Sequence, residues 1–240
     1  GMHRLGFDAS SLKTLAERIN KNRRLYVQSV FSHLAASNDP ESDDFTRSQI
    51  GKFNEMSAQF CNEIDHPVIR HMVNSAGINR FPEAHFDMVR LGIAMYGVPP
   101  SPTLAGAVNL RPALRLVSTV TGLRTVEPGE SVSYGRRWTA ERSTRIATVP
   151  AGYADGIRRS SGAAGVEVLI GGRRRPIVGT VTMDQLMVVV DDRVELGDEV
   201  VLIGRQGDEE VTATEIADRL GTIGYEVLTD LGPRVERDLR

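Results

Sequence analysis

Cysteine is nearly absent: Cys61 is the only one in 240 residues. No internal disulfide can form, a lone thiol suits a reducing cytoplasm, and no cysteine cluster exists to hold a metal. An excess of either charge is also lacking. The 29 basic and 31 acidic side chains are intermixed and leave a formal charge of −2, so no nucleic-acid face is expected. The one basic run, Arg173-Arg174-Arg175, reads as a solvated hairpin end. Long apolar runs are missing as well. None approaches the roughly 20 residues that span a bilayer, and there is no charged-then-apolar leader. Neither membrane insertion nor secretion is expected, and a cytoplasmic protein is. No internal repeat and no low-complexity segment appears. Gly1 to Gly6 read as the inside of a motif.

What is present is an ordinary globular composition, 40% hydrophobic, enough for one large domain or two modest ones. Two textures divide it. In residues 1 to about 97, helix-like and strand-like segments alternate. Leu12, Leu15, Ala16 and Ile19 recur at helical spacing with Ser10 or Ser11 available to cap, and Ile50, Phe53, Met56, Phe60 and Ile64 mark a longer amphipathic helix. Leu25 to Phe31, Val68 to Val73 and Asp87 to Leu91 are strand candidates. That alternation predicts βα units on a parallel sheet.

From about residue 110 strands dominate. Leu114 to Thr125, Thr144 to Val149, Val166 to Ile170, Pro176 to Val181, Leu186 to Val190 and Val200 to Ile203 favour strand. Gly171-Gly172 reads as a hairpin turn between two of these runs, and Ala213 to Leu220 as a late helix. Val98 to Asn109, rich in proline, reads as a linker. A complete (β/α)₈ barrel needs about 250 residues. The first texture supplies roughly three βα units, either a small open α/β domain or the tail of such a barrel.

Several motifs sit where chemistry is usually placed. In His71-Met72-Val73-Asn74-Ser75-Ala76, Ser75 is either a plain helix cap or a donor to phosphate. Arg90-Leu91-Gly92-Ile93 follows a strand candidate, where glycine lets backbone approach a ligand, and Arg90 alone reads equally as a surface charge. Pro150-Ala151-Gly152-Tyr153-Ala154-Asp155-Gly156 presents a tyrosine on sharply bent backbone, though turn formation alone explains its glycines. Thr182-Met183-Asp184-Gln185 and Gly224-Tyr225-Glu226-Val227 mean little singly.

Taken together and in order, these segments resemble alanine racemases, fold-type III enzymes that use pyridoxal 5'-phosphate. GMHRLGF, FSHLAAS, HMVNSAGINRFPE, VRLGIAMYG, VSYG, PAGYADG, PIVGTVTMDQ, LIGRQGDE and IGYEVLT all carry the likeness, which covers nearly the whole chain. GYADG and MDQ are its most specific pieces. The resemblance implies that residues 1–109 are the last three or so βα units of a (β/α)₈ TIM-type barrel, and that residues 110–240 are the C-terminal, mostly β domain. It further implies that the lysine carrying the cofactor lies on an earlier strand. Lys13, Lys21 and Lys52, the only lysines, lack its context. The chain is therefore expected to be a C-terminal portion, inactive alone. GMHRLGF and DPESDDFTRSQI look closest to racemases sometimes fused behind a Mur-ligase domain.

The same resemblance implies roles. Tyr153 matches the base on one face of the substrate Cα, the absent lysine serving the other. A phenol titrates near 10, so neighbouring cations must ease its ionisation. His33 and His71 are assigned near the cofactor. Arg90 faces the pyridine nitrogen, where a guanidinium donates a hydrogen bond without handing over a proton. This makes the ring a weaker electron sink and disfavours side reactions. Ser75, the backbone at Gly92 and Ile93, and the Tyr225 hydroxyl match the phosphate-binding groups. Arg4 matches a substrate-carboxylate contact, Met183 a contact through its backbone N–H, and Asp184 a supporting group. L-Alanine and D-alanine are the implied substrates, for peptidoglycan synthesis. The implied assembly is a head-to-tail homodimer in which Tyr153 and Met183 complete the partner's site. A same-fold racemase of another small amino acid, or a non-catalytic binding protein on this scaffold, are the alternatives.

Overall fold

The computed structural model describes residues 1–106 and 108–239. Ala107, in the expected linker, and Arg240 lie outside the described residues. The chain divides into two compact units, Gly1–Leu110 and Arg111–Arg240.

In the first unit, helix α1 (Leu12–Asn20) buries Leu12 and Ala16, one turn apart. They meet Phe60 of helix α2 (Asp43–Asn62) and Ile64 just beyond it. The α1 start differs from expectation. Ser11 holds the N-cap position without a capping bond, and its hydroxyl donates to the Asp8 carbonyl at 2.7 Å. Helix α2 begins earlier than its apolar stripe suggests. Asp39 accepts from the Glu41 N–H at 3.1 Å, and Asp43 and Asp44 place negative charge in the first turn. A second core joins Leu34, Phe53, Met72, Val73, Phe81 and Ala84.

Strands β1 (Ser29–Phe31) and β2 (Ile69–His71) pair in parallel, Ser29 opposite Ile69. The rest of the Leu25 to Phe31 run is not strand; Leu25 closes a turn on the Asn22 carbonyl. The third expected strand, Asp87 to Leu91, does not form. Asp87 N–H reaches Arg70 O at 3.0 Å and Arg90 N–H reaches Val73 O at 3.2 Å, so the segment runs along β2. The Asp87 carboxylate takes the Arg70 N–H at 2.8 Å, a donor that a regular ladder would use. Three expected parallel strands are thus a two-stranded ladder and a tethered extended segment.

The second unit is built on an eight-stranded sheet. Along it run β12 (Glu209–Val211), β11 (Glu199–Gln206), β8 (Glu167–Ile170), β9 (Arg173–Val178), β10 (Leu186–Val190), β7 (Thr144–Val149) and β4 (Gly122–Val126), with β3 (Leu116–Thr119) also on β11. The pairings are antiparallel. Leu186-Met187-Val188-Val189-Val190 alternates buried and half-buried, the pattern of a sheet with one enclosed face. In β11 five successive residues are buried, Val200 to Gly204, so this strand is covered on both sides. Gly171 and Gly172 join β8 to β9 with φ of 60° and 69°, the left-handed pair that a tight hairpin turn requires. A short ribbon pairs β5 (Ser131–Val132) with β6 (Trp138–Thr139). Helix α4 (Ala213–Leu220) starts under Thr212, whose hydroxyl accepts from Glu215 N–H at 3.0 Å, and ends at Gly221, φ 68°. Helix α5 (Gly224–Thr229) follows.

The basic run is not a solvated hairpin end. Arg173, Arg174 and Arg175 lie within β9. Arg174 meets Glu215 at 2.6 Å, Glu209 at 2.9 Å and Glu167 at 3.5 Å, and Arg175 meets Asp191 at 2.7 Å. These arginines face acids from other elements, which charge counting along the chain does not show. Among the described residues no helix is long and apolar enough to cross a membrane.

Candidate functional site

The candidate residues divide between the two units. In the first, β2 ends on His71 and β1 ends two residues before His33, while Arg90 arrives on the tethered segment. Arg90 Nη2 donates to Ser32 O at 2.7 Å, to His33 Nδ1 at 3.0 Å and to Met72 O at 3.2 Å. Its Nη1 donates to His71 Nδ1. A guanidinium has donors only, so both imidazoles accept at Nδ1 and carry their proton on Nε2. Burial lowers both histidine pKa values, and the Arg90 charge lowers them further. Both rings are therefore neutral at pH 7. The exposed Arg4 adds its charge to this cluster, depressing His33 and also Arg90, whose pKa burial already lowers. Phe31, which no motif singled out, stacks on His71 with ring centres 5.4 Å apart and lies 5.5 Å from the Arg90 guanidinium.

Ser75 opens helix α3 (Ser75–Arg80), but it is not the cap. Asn74 caps, accepting from Gly77 N–H at 3.1 Å. The Ser75 hydroxyl instead accepts from Gly92 N–H at 2.9 Å and Ala94 N–H at 3.3 Å. Both lone pairs are used, so its proton is left to donate. A Cβ at Gly92 would come within 3.4 Å of this hydroxyl and cover it. The second backbone donor to this hydroxyl is Ala94, and Ile93 between the two buries its side chain.

In the second unit, Tyr153 opens a single 3-10 turn, Tyr153–Asp155, between Gly152 and Gly156. Tyr153 N–H donates to Thr182 O and Ala154 N–H to Met183 O, each at 3.0 Å. The Met183 turn thus lies against the Tyr153 turn. Only glycine fits at 152, because a Cβ there would lie 2.2 Å from Met183 O. At Gly156, φ 103°, an added Cβ would lie 2.6 Å from Asp230 O. Asp155 closes its turn by accepting from Gly152 N–H at 2.9 Å. Asp184 pairs with Arg234 at 2.8 Å. Tyr153 and Met183 are 44% and 52% exposed, so both remain reachable from solvent. Tyr225, second in α5, is partly buried, which raises its phenol pKa and keeps it a donor.

Two residues were not found from sequence, Phe31 and Arg234. A phenylalanine at a strand end reads as core, and an arginine in Gly232-Pro233-Arg234 reads as surface. The donor chemistry suits a ligand with an anionic group and a heteroaromatic nitrogen. Ser75 offers a neutral hydroxyl beside exposed backbone, and Arg90 is a cation whose bonds to the protein leave through Nη1 and Nη2. No group of three or more His, Cys, Asp or Glu side chains placed to hold a metal occurs among the described residues.

Comparison with known proteins gives a consistent likeness. Residues 1–100 match the family model for the N-terminal domain of alanine racemase, and residues 113–239 match that for its C-terminal domain. The alanine racemase of Symbiobacterium thermophilum is 46% identical over 240 residues, covering 99% of this chain and 63% of that protein. That of Carboxydothermus hydrogenoformans is 43% identical, covering 99% and 64%. The crystal structure of alanine racemase from D-cycloserine-producing Streptomyces lavendulae superposes with a TM-score of 0.91 at 38% identity, over 98% of this chain and 63% of that one. The Bacillus anthracis enzyme, solved with bound L-Ala-P, gives 0.88 at 38% identity over 98% and 61%. The chain thus spans a little under two thirds of the length of the relatives it matches.

Proposed function

We propose that this chain, which belongs to the alanine racemase family, carries most of the cofactor- and substrate-binding groups of an enzyme that interconverts L-alanine and D-alanine. The observation that carries this reading is Arg90 held between two neutral imidazoles, a fixed cation placed by three separate segments. Pyridoxal 5'-phosphate, when bound, supplies the electron sink that makes the substrate α-proton acidic. Arg90 would face its ring nitrogen, and His33 and His71 hold the guanidinium in place. Ser75, with the backbone at Gly92 and Ile93, would take the phosphate through neutral donors, and the Tyr225 hydroxyl keeps its implied role as a phosphate donor. Arg4 would engage the substrate carboxylate bidentately, and the Met183 N–H would contact the substrate. Tyr153 would take or return the α-proton on one face.

The base for the other face, an amine that also anchors the cofactor, is not among Lys13, Lys21 and Lys52. All three are exposed, in or at the end of α1 and in α2. Tyr153 and Met183 would serve the site of a second copy, which makes a dimer the working assembly. The product would feed peptidoglycan synthesis.

The test is racemisation of L-alanine followed by circular dichroism. The full-length protein should be active, and Tyr153→Phe should lower its rate by about 10²–10⁴, the usual worth of a positioned proton-transfer group. The 240-residue chain should be inactive. Activity of that chain, abolished by Tyr153→Phe, would place both bases within it and overturn the assignment.

A further inference from the structure

Tyr153 and Met183 stand on two separate turns, and their relative placement is set by more than the backbone bonds between those turns. The Arg234 guanidinium reaches both. Its Nη2 donates to Asp184 Oδ1 at 2.8 Å, directly after Met183. Its Nε lies 3.4 Å from Asp155 Oδ1, on the Tyr153 turn. The other Asp155 oxygen accepts from Gly152 N–H at 2.9 Å. One cation therefore joins the carboxylate that closes the tyrosine turn to the carboxylate beside Met183.

Without that cation, two carboxylates on touching turns would repel each other, and the backbone bonds from Tyr153 and Ala154 would bear the strain. Arg234 is itself half exposed, with a side-chain accessibility of 52%, and Asp184 is at 59%. Exposed ion pairs contribute little to global stability. A bridge of this kind is consequently poor as a fold stabiliser and well placed as a local spacer. The two carboxylates also raise the Arg234 pKa, Asp184 first, so the guanidinium stays charged.

We infer that Arg234 is a positioning residue, which holds the Tyr153 hydroxyl and the Met183 backbone N–H in one fixed relation by bridging Asp155 and Asp184. This rests on the proposed proton-transfer role of Tyr153. It touches neither substrate nor cofactor and acts only through the two aspartates.

The experiment uses the full-length protein with Arg234→Ala, Arg234→Lys, Asp184→Asn and, as a remote ion-pair control, Arg115→Ala. Arg115 pairs with Glu199 at 2.6 Å, on β11, away from both turns. The first readout is independent of activity: the ¹⁹F spectrum of fluorotyrosine-labelled protein, with the Tyr153 resonance assigned by its loss in Tyr153→Phe. Arg234→Ala should broaden or shift that resonance while the thermal midpoint moves by only a few degrees, and Arg115→Ala should leave it in place. The second readout is kinetic. Displacement of about 1 Å at a reacting group costs up to about 10²-fold, so kcat should fall 10- to 100-fold in Arg234→Ala. It should fall less in Arg234→Lys, because a single ammonium cannot reach both carboxylates as a fork does. The α-deuterium isotope effect should rise only in the direction in which Tyr153 removes the proton. An unmoved Tyr153 resonance in both Arg234→Ala and Asp184→Asn would overturn the inference. So would a large loss of thermal stability in Asp184→Asn, which would make the bridge a fold element. A displaced Tyr153 resonance in a full-length protein that never racemises alanine would leave the bridge standing and remove the proposed function.

Discussion

Both units enclose apolar side chains completely, Met72 and Phe81 in the N-terminal unit and Leu169 and Leu186 in the C-terminal one, and both leave others exposed, such as Tyr26 at 65% and Leu196 at 65%. The backbone divides the two units more sharply. Ten strands pair antiparallel among the described residues of one unit, eight of them in a single sheet, and a single parallel ladder of two three-residue strands is found among the described residues of the other. In the C-terminal unit every strand finds its partner within the unit, through hairpins such as β8–β9 and β11–β12 and through distant pairings such as Glu199 with Thr119. A parallel pair leaves edges that only other segments can complete, and isolated two-stranded sheets are marginal in water. Polar function is divided between them as well. The N-terminal unit holds Arg90 against His33, His71 and backbone carbonyls, and the C-terminal unit presents Tyr153 and Met183 at its surface on two turns.

The sharpest way to break this comparison is to separate the units. Arg111–Arg240 produced alone should unfold in one cooperative thermal transition by circular dichroism, and Gly1–Leu110 alone should show none. A cooperative melt of the N-terminal unit would erase the distinction. Within the intact chain, Leu169→Ala should cost about 2–5 kcal/mol in urea denaturation, the range for a core leucine. Phe31→Ala, half exposed, should cost about 1 kcal/mol or less while releasing the ring that stacks on His71.

Gly152→Ala comes next. Its Cβ would meet Met183 O at 2.2 Å, and backbone cannot step aside as a side-chain tip can. A destabilisation of about 1–3 kcal/mol is expected, the range for overpacking, with displacement of the Tyr153 turn. An unchanged melting midpoint would show the two turns to be less tightly joined than the coordinates have them.

The smallest effect is acid sensitivity. The His33 and His71 pKa values lie below their usual 6.5 in the folded state, from burial first and Arg90 second. Their contribution to stability is therefore complete above about pH 6.5 and is lost as pH falls from there toward the lowered values. In the C-terminal unit the shifted acids behave otherwise. The Arg175 bond lowers Asp191; burial alone would raise Glu215, but its bonds from Arg174 outweigh that. Their contributions persist until pH falls below the usual 3.8 and 4.5. Hydrogen exchange at pH 7 and pH 5.5 should consequently show faster opening around β1, β2 and Arg90, with the eight-stranded sheet unchanged. Equal acceleration in both units would contradict the burial of the two imidazoles.

Elements whose determinants are local were legible in the chain. Leu186–Val190 and Ala213–Leu220 match the expected bounds residue for residue, because period-two burial, a threonine cap and a terminal glycine all act within a few residues. The GYADG and MDQ turns were legible as motifs, and glycine at 152 and 156 has a steric reason that the sequence alone left as turn formation. Elements whose determinants lie far along the chain were read less well. Asp87 to Leu91 has strand-forming side chains, yet the Asp87 carboxylate captures the Arg70 N–H, a partner 17 residues away. Ser75 reads as a cap until Asn74 takes that place and Gly92 brings its N–H from the next segment.

The order of residues was enough for the family and for the two textures, since these depend on side-chain type and short spacing. It did not contain the charge state of the site. His33 and His71 read in the sequence only as groups near the cofactor; three-dimensional packing against Arg90 makes both of them neutral acceptors. Nor did it contain Arg234, whose two partners lie 79 and 50 residues earlier in the chain. Periodicity reports what neighbours in sequence do, and a Coulomb interaction depends on distance in space, which the chain acquires on folding.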